Sequence, residues 1–313
     1  MSDKLTSQTV DSLIASQLAV WPQAAANFDA LKGVKVKDID VDGMKIKVQF
    51  NPARIVSSAA KVDAKSLKER KCFLCGENRP AVQEGIGWAD GRYTVLINPF
   101  PIFPRHLTIP DNTHTDQLIR GRVADMMRLA AELEDYTVFY NGPRCGASAP
   151  DHMHFQAGNS DFLTLAEALE DSELKTVATD GDAVLAVVDT LPLKVFVIDS
   201  DDPEAGARLF DRLYEAMPVP DDEKEPMMNI LCYPTPAGVR LVVIPRKRHR
   251  PTFYGTEGPG TMLISPASVD MGGVFITPLE KDFNAFDAET ARRIYNELCL
   301  SADEINTIAS NVR

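Results

Sequence analysis

The sequence is poor in histidine and tryptophan, with five and two of its 313 residues, and it has no long apolar run. Because no stretch of about 18 uncharged apolar residues occurs, no membrane-spanning segment is predicted. The formal net charge of −12 disfavours non-specific binding to nucleic acid or to anionic membranes. The N-terminus lacks the apolar block of a secretory signal, and five cysteines, an odd number, favour reduced thiols. We therefore expect a cytoplasmic protein.

Apolar residues make up 44% of the chain and charged residues 25%, which is typical of a globular protein and excludes a disordered or fibrous one. The length suggests two domains. Composition changes after about residue 160, so we divide the chain into one half of residues 1–175 and another of residues 176–313. A shift of 135 residues aligns residues 96–114 with residues 231–249. We interpret this match as a duplicated strand, Pro-rich turn and strand, although coincidence between two Pro-punctuated strand pairs is the alternative.

Local patterns predict the elements of the first half. Asp42-Gly43 between two alternating runs indicates a β-hairpin with one polar face. Apolar residues at helical spacing predict helices, and β-branched runs predict strands. The further predictions are a helix over residues 3–32, a basic connector over 58–71, strands over 93–97 and 105–109, a helix over 116–135 and a strand over 137–140.

Two of the five histidines lie in the segment His152-Met153-His154, directly after a loop of small residues at positions 146–150. If the segment is extended, its period of two places both imidazoles on one face, together with Gln156. Polar groups on a buried strand need partners, so this pattern marks a candidate site, with an ordinary buried strand as the alternative. The small residues of the loop allow backbone N–H groups to approach an anion closely.

Cys72-Phe-Leu-Cys75 is the second notable motif. A turn of this spacing brings two thiolates onto one zinc ion, and a closed structural site then needs two further ligands. A redox pair and two unrelated buried thiols are the alternatives. The βαβ context expected of a thioredoxin-like redox pair is absent, which favours zinc.

The order of these motifs resembles one branch of the histidine triad superfamily. It comprises galactose-1-phosphate uridylyltransferase, diadenosine tetraphosphate phosphorylase and GDP-galactose phosphorylase. The shared order is Cys-Phe-Leu-Cys, Asn-Pro-Phe-Pro, a strand ending in Pro-Asp near a histidine, a helix, Asn-Gly, a small-residue loop and His-x-His-x-Gln. The match covers residues 72–156 well, residues 47–54 fairly and the second half loosely. The resemblance implies an α+β fold of two histidine-triad-like (HIT-like) halves, each a mostly antiparallel sheet with packed helices. The second half is expected to be degenerate and to serve substrate recognition.

The resemblance also implies roles for single residues. His154 would be the nucleophile at a nucleotide α-phosphorus, and Gln156 would hydrogen-bond a phosphate oxygen. Histidine triad hydrolases carry a third histidine where Gln156 stands, so glutamine favours transfer over hydrolysis. Structural zinc would be bound by Cys72, Cys75, His114 and His152. The substrate-binding residues implied by the resemblance, or by nearness to the motif, are Asn51, Arg54, Asn141, Gly142, Arg144 and Ser148.

Three features have no settled role. Asp151 is an extra residue before His152, where it would either repel a phosphate or orient His152. His106 matches no family role. The basic run Arg246–Arg250 is either a solvated loop or a clamp on phosphate from the second half.

The function implied by the resemblance is that of a nucleotidylyltransferase or phosphorylase with ping-pong kinetics. Its donor would be a nucleotide sugar or a dinucleoside polyphosphate, and its acceptor phosphate or a sugar phosphate. The alternatives are a nucleotide hydrolase of the same fold and a zinc-stapled nucleotide-binding protein without turnover. Since related enzymes commonly dimerise, a homodimer is one expectation.

Overall fold

The structure is a computed structural model that describes residues 5–55 and 64–313. The strands are β1 (Lys35–Val41), β2 (Met44–Phe50), β3 (Gly85–Trp88), β4 (Tyr93–Ile97), β5 (His106–Pro110), β6 (Tyr136–Asn141), β7 (His154–Asn159), β8 (Lys175–Asp180), β9 (Ala183–Val188), β10 (Val195–Ser200), β11 (Met228–Thr235), β12 (Gly238–Pro245) and β13 (Val274–Thr277). The helices are α1 (Ser7–Val20), α2 (Pro22–Ala30), α3 (Ala64–Glu69), α4 (Val123–Glu132), α5 (Thr164–Glu170), α6 (Pro203–Ala216), α7 (Ser268–Met271), α8 (Glu280–Ala285), α9 (Ala288–Leu298) and α10 (Ala302–Asn311).

Turn and breaker residues explain the N-terminal elements. The predicted hairpin is present, and Asp42 and Gly43 both have positive φ, as its tight turn requires. The helix predicted over 3–32 divides into α1 and α2, because Pro22 lacks the N–H that would continue the α1 ladder. Of the basic connector predicted over 58–71, the part at 58–63 lies outside the described residues, and α3 occupies much of the rest.

Within the described residues, ten strands form one sheet in which every neighbouring pair is antiparallel. The strand order is β3-β4-β5-β7-β6-β11-β12-β10-β9-β8. Reading from each edge to the central β6–β11 pair gives the same succession of strands. One helix, α4 or α6, precedes the central strand of each half. The sheet is therefore built from two topologically equivalent halves, which confirms the predicted α+β fold.

The alignment at a shift of 135 residues is wrong. It equates β4 and β5 with β11 and β12, whereas the sheet order makes β11 and β12 the counterparts of β6 and β7. Both pairs are antiparallel neighbours with Pro-rich ends, so similar local patterns produced the match. The strand equivalent to β7 is β12, which contains no histidine.

Two apolar layers lie on the two faces of this sheet. On one face α1, α4, α6 and α10 contribute Leu13, Met126, Leu209 and Ile305 to a common core. The other face packs against a small sheet of β1, β2 and β13, together with α5, α7 and α9. Since β13 pairs in parallel with β2, the small sheet joins residues from both predicted halves. None of the helices in the described part of the chain has the length and apolar content needed to cross a bilayer.

Candidate functional site

Four predicted metal ligands converge on one point. The ligand atoms of Cys72, Cys75, His114 and His152 all lie within 4.8 Å of one another. The Cys75 sulfur is 3.1 Å from Nδ1 of His114, and the Cys72 sulfur is 3.3 Å from Nδ1 of His152. In a tetrahedral zinc site with bonds of about 2.0–2.3 Å, ligand atoms are about 3.3–3.8 Å apart. The four side chains therefore fit a zinc ion in geometry and in donor type.

The surroundings of the cluster orient its ligands. Nε2 of His152 donates to the backbone carbonyl of Asp111 at 2.7 Å, which directs Nδ1 towards the sulfurs. Burial alone would raise the pKa of Cys72, but hydrogen bonds from His152 and from backbone N–H groups bring that pKa below its usual value. Burial and the neighbouring Cys72 raise the pKa of Cys75. A cation would favour the thiolate form of both residues, which is the form that binds metal.

His154 is presented as a neutral nucleophile. It is the first residue of β7 and is 3% exposed. Its Nδ1 lies 2.8 Å from the carbonyl oxygen of His152, and because a carbonyl only accepts, Nδ1 carries the proton. Burial lowers the pKa of His154 to about 4, so the ring is neutral at pH 7. Nε2 is then an unprotonated nitrogen that forms no hydrogen bond with any residue in the described ranges.

A buried glutamine, which the sequence analysis missed, fixes the backbone at this position. The Gln117 side chain accepts from the N–H of His154 at 2.8 Å and donates to the carbonyls of His154 and Asn141, each at 3.0 Å. It thus joins β7 to the end of β6. No periodic pattern marks such a residue, because its partners are 24 and 37 positions away in the sequence.

His106 and Asn98 determine how Gln156 is oriented. Nδ1 of His106 accepts from the N–H of Ile102 at 3.1 Å, so Nε2 carries the proton and donates to Gln156 Oε1 at 3.1 Å. Asn98 Nδ2 lies 3.4 Å from the same oxygen. The Gln156 amide nitrogen is left without a partner among the described residues. His106, which had no predicted role, therefore orients the Gln156 side chain.

His154 and Gln156 both line a cavity of about 560 Å³. Apolar residues, including the half-exposed Phe73, and the small residues at 146–148 form part of its wall. Among the described residues that line it, the charged side chains are those of Arg54, Arg70, Arg250 and Asp270. The excess of positive charge and the apolar surface suit a ligand with both an anionic and a planar apolar part.

The other predicted substrate-binding residues are placed differently. Arg54, Asn141 and Ser148 line the cavity, but Asn51, Gly142 and Arg144 do not. Asn51 is buried beside Gln49. Gly142 packs so closely on β11 that a Cβ there would lie 2.8 Å from the carbonyl oxygen of Met228. These contacts indicate structural roles.

Arg144 and Asp151 form ion pairs that the sequence order did not suggest. Arg144 pairs with Asp222 and Glu223 of an acidic linker at residues 218–225, and its side chain does not line the cavity. Asp151 pairs with Arg70 at 2.5 Å. Asp151 therefore neither orients His152 through its carboxylate nor remains free to repel a phosphate.

Parts of the sequence are similar to known proteins. The model of a domain of unknown function, DUF4922, matches residues 13–159. Galactose-1-phosphate uridylyltransferase of Bacillus subtilis is 26% identical over 171 residues, which are 49% of this chain and 32% of that protein. Diadenosine 5′,5‴-P1,P4-tetraphosphate phosphorylase 2 of Saccharomyces cerevisiae is 32% identical over 117 residues, which are 32% of this chain and 35% of that protein. The chain thus aligns with about a third of each curated relative.

The structural comparison extends over most of the chain. The crystal structure of yeast Ap4A phosphorylase Apa2 superposes with a TM-score of 0.58 at 18% identity, covering 90% of this chain and 94% of that one. The chain is thus similar in part of its sequence to a galactose-1-phosphate uridylyltransferase and to a tetraphosphate phosphorylase, and similar in fold to Ap4A phosphorylase. At 18% identity, the structural likeness shows a shared fold.

Proposed function

We propose that this HIT-like chain is a nucleotidylyltransferase or phosphorylase. Its donor would be a nucleoside-diphosphate sugar or a dinucleoside polyphosphate, and its acceptor phosphate or a sugar phosphate. The observation that carries the proposal is the unprotonated Nε2 of His154 in a cavity that Gln156 and three arginines also line. The matched relatives, a uridylyltransferase and a tetraphosphate phosphorylase, support this reaction class.

The chemistry consists of two displacements at one phosphorus atom. In the first, Nε2 of His154 attacks the α-phosphorus, the P–O bond to the rest of the donor breaks, and the departing oxygen keeps the electron pair. A nucleoside monophosphate is then bonded to His154. In the second, an oxygen of the acceptor attacks the same phosphorus, and the N–P electron pair returns to Nε2. Neutral imidazole suits both steps, since it is nucleophilic and leaves as a neutral group.

The remaining residues of the site would stabilise the transferred group. The free amide N–H groups of Gln156 would donate to a non-bridging phosphate oxygen. Burial lowers the pKa of Arg54 to about 10, so this arginine stays charged at pH 7 and attracts phosphate. The backbone N–H groups of Ala147 and Ser148 bond to no described residue and would supply further donors.

Zinc would be held by Cys72, Cys75, His114 and His152. Its contribution when bound is structural, since four protein ligands leave no open position. The carbonyl of His152 holds the proton-bearing nitrogen of His154, so fixing His152 also fixes the ring of the nucleophile.

A phosphate-dependence assay tests the reaction type. We expect wild-type protein given a panel of nucleotide sugars and dinucleoside polyphosphates to form a nucleoside diphosphate with phosphate, or a new nucleotide sugar with a sugar phosphate, and little product without either acceptor. Equal product with and without phosphate would identify the hydrolase alternative instead. Binding of the same compounds without any turnover would identify the binding-protein alternative.

A further inference from the structure

The basic run from Arg246 to Arg250 has two parts with different environments. Arg246 is 4% exposed, and its guanidinium donates to Asn229 and to three backbone carbonyls. These bonds stabilise the loop itself. Arg250 instead lines the cavity that contains His154, whereas the side chain of Arg248 is exposed and lies outside the cavity lining. The run is therefore neither a uniform solvated loop nor a uniform clamp.

Arg250 is held in place by uncharged side chains. Its Nε donates to Ser265 Oγ at 2.9 Å, and its guanidinium lies 4.1 Å from the ring centroid of Tyr254. No carboxylate in the described part of the chain pairs with it. A fixed guanidinium that pairs with none of the described carboxylates, at the wall of a cavity, is suited to an anionic ligand, because no described residue bonds to its terminal N–H groups.

Contacts connect Arg250 to the small-residue loop that precedes His154. Ser265 is two residues before Ala267, and Ala267 packs against Gly146 so closely that a Cβ on Gly146 would lie 2.4 Å from its own. Gly146, Ser265 and Ala267 all line the cavity. Arg250 and this loop therefore line the same part of the cavity wall.

A double displacement uses the same space twice. The leaving group departs in line with the attacking nitrogen, and the acceptor must approach the phosphorus from that same side. The phosphate group that leaves with the rest of the donor and the phosphate that enters as acceptor therefore occupy the same position. Burial and the nearby arginines lower the pKa of His249 to about 4, so this imidazole is neutral at pH 7. Of these two neighbouring residues, Arg250 therefore carries the positive charge.

We propose that Arg250, positioned by Ser265, binds this non-transferred phosphate group. It would contact the departing phosphate of the donor in the first step and inorganic phosphate in the second. The inference rests on the proposed function for the order of events, but the phosphate subsite itself can be measured without turnover. Under this proposal, the second half of the chain binds the phosphate that is not transferred to His154.

Calorimetric titration with inorganic triphosphate tests the subsite directly. We expect Arg250→Ala to weaken binding about tenfold or more, and Arg250→Lys to weaken it less, because lysine keeps the charge but not the fork of donors. The control is Arg248→Ala, from the same run, which should bind within about twofold of wild type. Thermal unfolding confirms that each variant is folded. Equal binding by wild type and Arg250→Ala, or equal weakening by both alanine variants, would overturn the proposal.

Steady-state kinetics separates the two sources of phosphate. We expect Arg250→Ala to raise the KM both for inorganic phosphate and for the dinucleoside polyphosphate, and a rise for only one of them would contradict a shared subsite. A change in neither overturns the assignment. If wild type binds triphosphate through Arg250 but transfers nothing, the proposed function fails and the phosphate subsite stands.

Discussion

At the scale of single residues, one hydrogen-bonded backbone group fixes the protonated nitrogen of each of three histidines. A carbonyl fixes the proton of His154, a backbone N–H fixes that of His106, and another carbonyl directs His152 towards the cysteines. The tautomers of these three histidines are therefore decided by backbone groups, which lie two, four and 41 positions away in the sequence. His152 itself lies in the turn before β7, and only the two later members of the motif belong to the strand.

Replacing His106 tests its role as a positioning residue. In His106→Asn the side-chain oxygen can still accept from Ile102, but position 106 no longer supplies a donor to Gln156, which keeps only the longer contact with Asn98. We expect kcat to fall by up to about 100-fold, because a misdirected amide no longer meets the phosphate, while KM changes little. His106→Gln places an amide N–H near the original Nε2 and should restore part of the rate. Steady-state assays of both variants give this comparison.

The contradicting result concerns the two variants together. If His106→Asn and His106→Gln lose activity and thermal stability in parallel, His106 contributes to packing alone. An unchanged kcat in His106→Asn would equally exclude the positioning role.

The candidate site could be predicted from the sequence where its residues share a short motif. Cys72, Cys75, His152 and His154 fall in motifs of three or four residues, and the resemblance supplied His114. Gln117 could not be found because its partners are distant in the sequence. Arg144 was misassigned because nearness to the motif gave no sign of the acidic linker, 78 residues away, that pairs with it.

Among the elements, the cysteine turn and the small-residue loop bring the site together. The turn at Cys72–Cys75 reaches His114 after β5 and His152 before β7, so a metal there would connect three separate segments. The alternating strands β1 and β2 and the apolar runs of β4 and β6 were predicted close to their observed bounds. β8 and β9 were missed, since β8 is a largely exposed edge strand with little apolar alternation.

Removal of one zinc ligand should destabilise the cysteine turn, the segment that contains His114 and the segment that contains His152. We expect Cys72→Ser to contain much less zinc than the about one ion per chain of wild type, and to unfold several degrees lower, since a closed structural site contributes folding energy. Metal analysis and thermal unfolding of protein purified without chelator measure both quantities. Wild-type protein with almost no zinc would contradict the four-ligand site, as would a variant of unchanged stability.

The loop before His154 depends on glycine at position 146. Gly146 has φ of +98°, and a Cβ there would lie 2.4 Å from that of Ala267, so Gly146→Ala should cost about 1–3 kcal/mol of unfolding free energy and reduce transfer. Gly121→Ala is the matched control, with φ of +72° and open space around the added Cβ. It should cost about 1 kcal/mol and leave transfer unchanged. Denaturant unfolding compares them, and equal costs would show that the contact with Ala267 is unimportant.

For the molecule as a whole, the sheet is continuous across the centre where β6 and β11 pair, and Glu225 lies buried beside this pair. It accepts from Tyr140 at 2.5 Å and from the N–H of Ile119 at 2.9 Å. Burial raises the pKa of Glu225 to about 7, with Glu223 adding repulsion and the two donors opposing the rise. A group with a raised folded-state pKa stabilises at low pH and loses that contribution as pH rises.

Stability should therefore respond to pH through Glu225. Between pH 5 and pH 8 its contribution falls by about 2–3 kcal/mol, given a folded pKa of about 7 against 4.5 in the unfolded chain. We expect Glu225→Gln, which resembles the protonated acid, to lack this part of the decline. Urea unfolding at the two pH values measures the difference. The same decline in wild type and variant would show that Glu225 is not the titrating group.

The arrangement of the halves was only partly predictable. Composition indicated a division into two units, the shifted alignment suggested that they are related, and the α+β class followed from the resemblance. The alignment between them could not be obtained, because Pro-ended strand pairs recur within each half and sequence similarity favoured the wrong pair. The pairing of β2 with β13 could not be predicted either, because strands more than 200 residues apart in the sequence share no local pattern.

The most direct measurement of the central claim is mass spectrometry of the protein after brief mixing with a donor and no acceptor. We predict that the peptide containing His154 gains the mass of one nucleoside monophosphate, that inorganic phosphate removes it, and that folded His154→Ala gains none. Turnover of the donor with the added mass on another residue, or with equal activity in His154→Ala, would contradict the account.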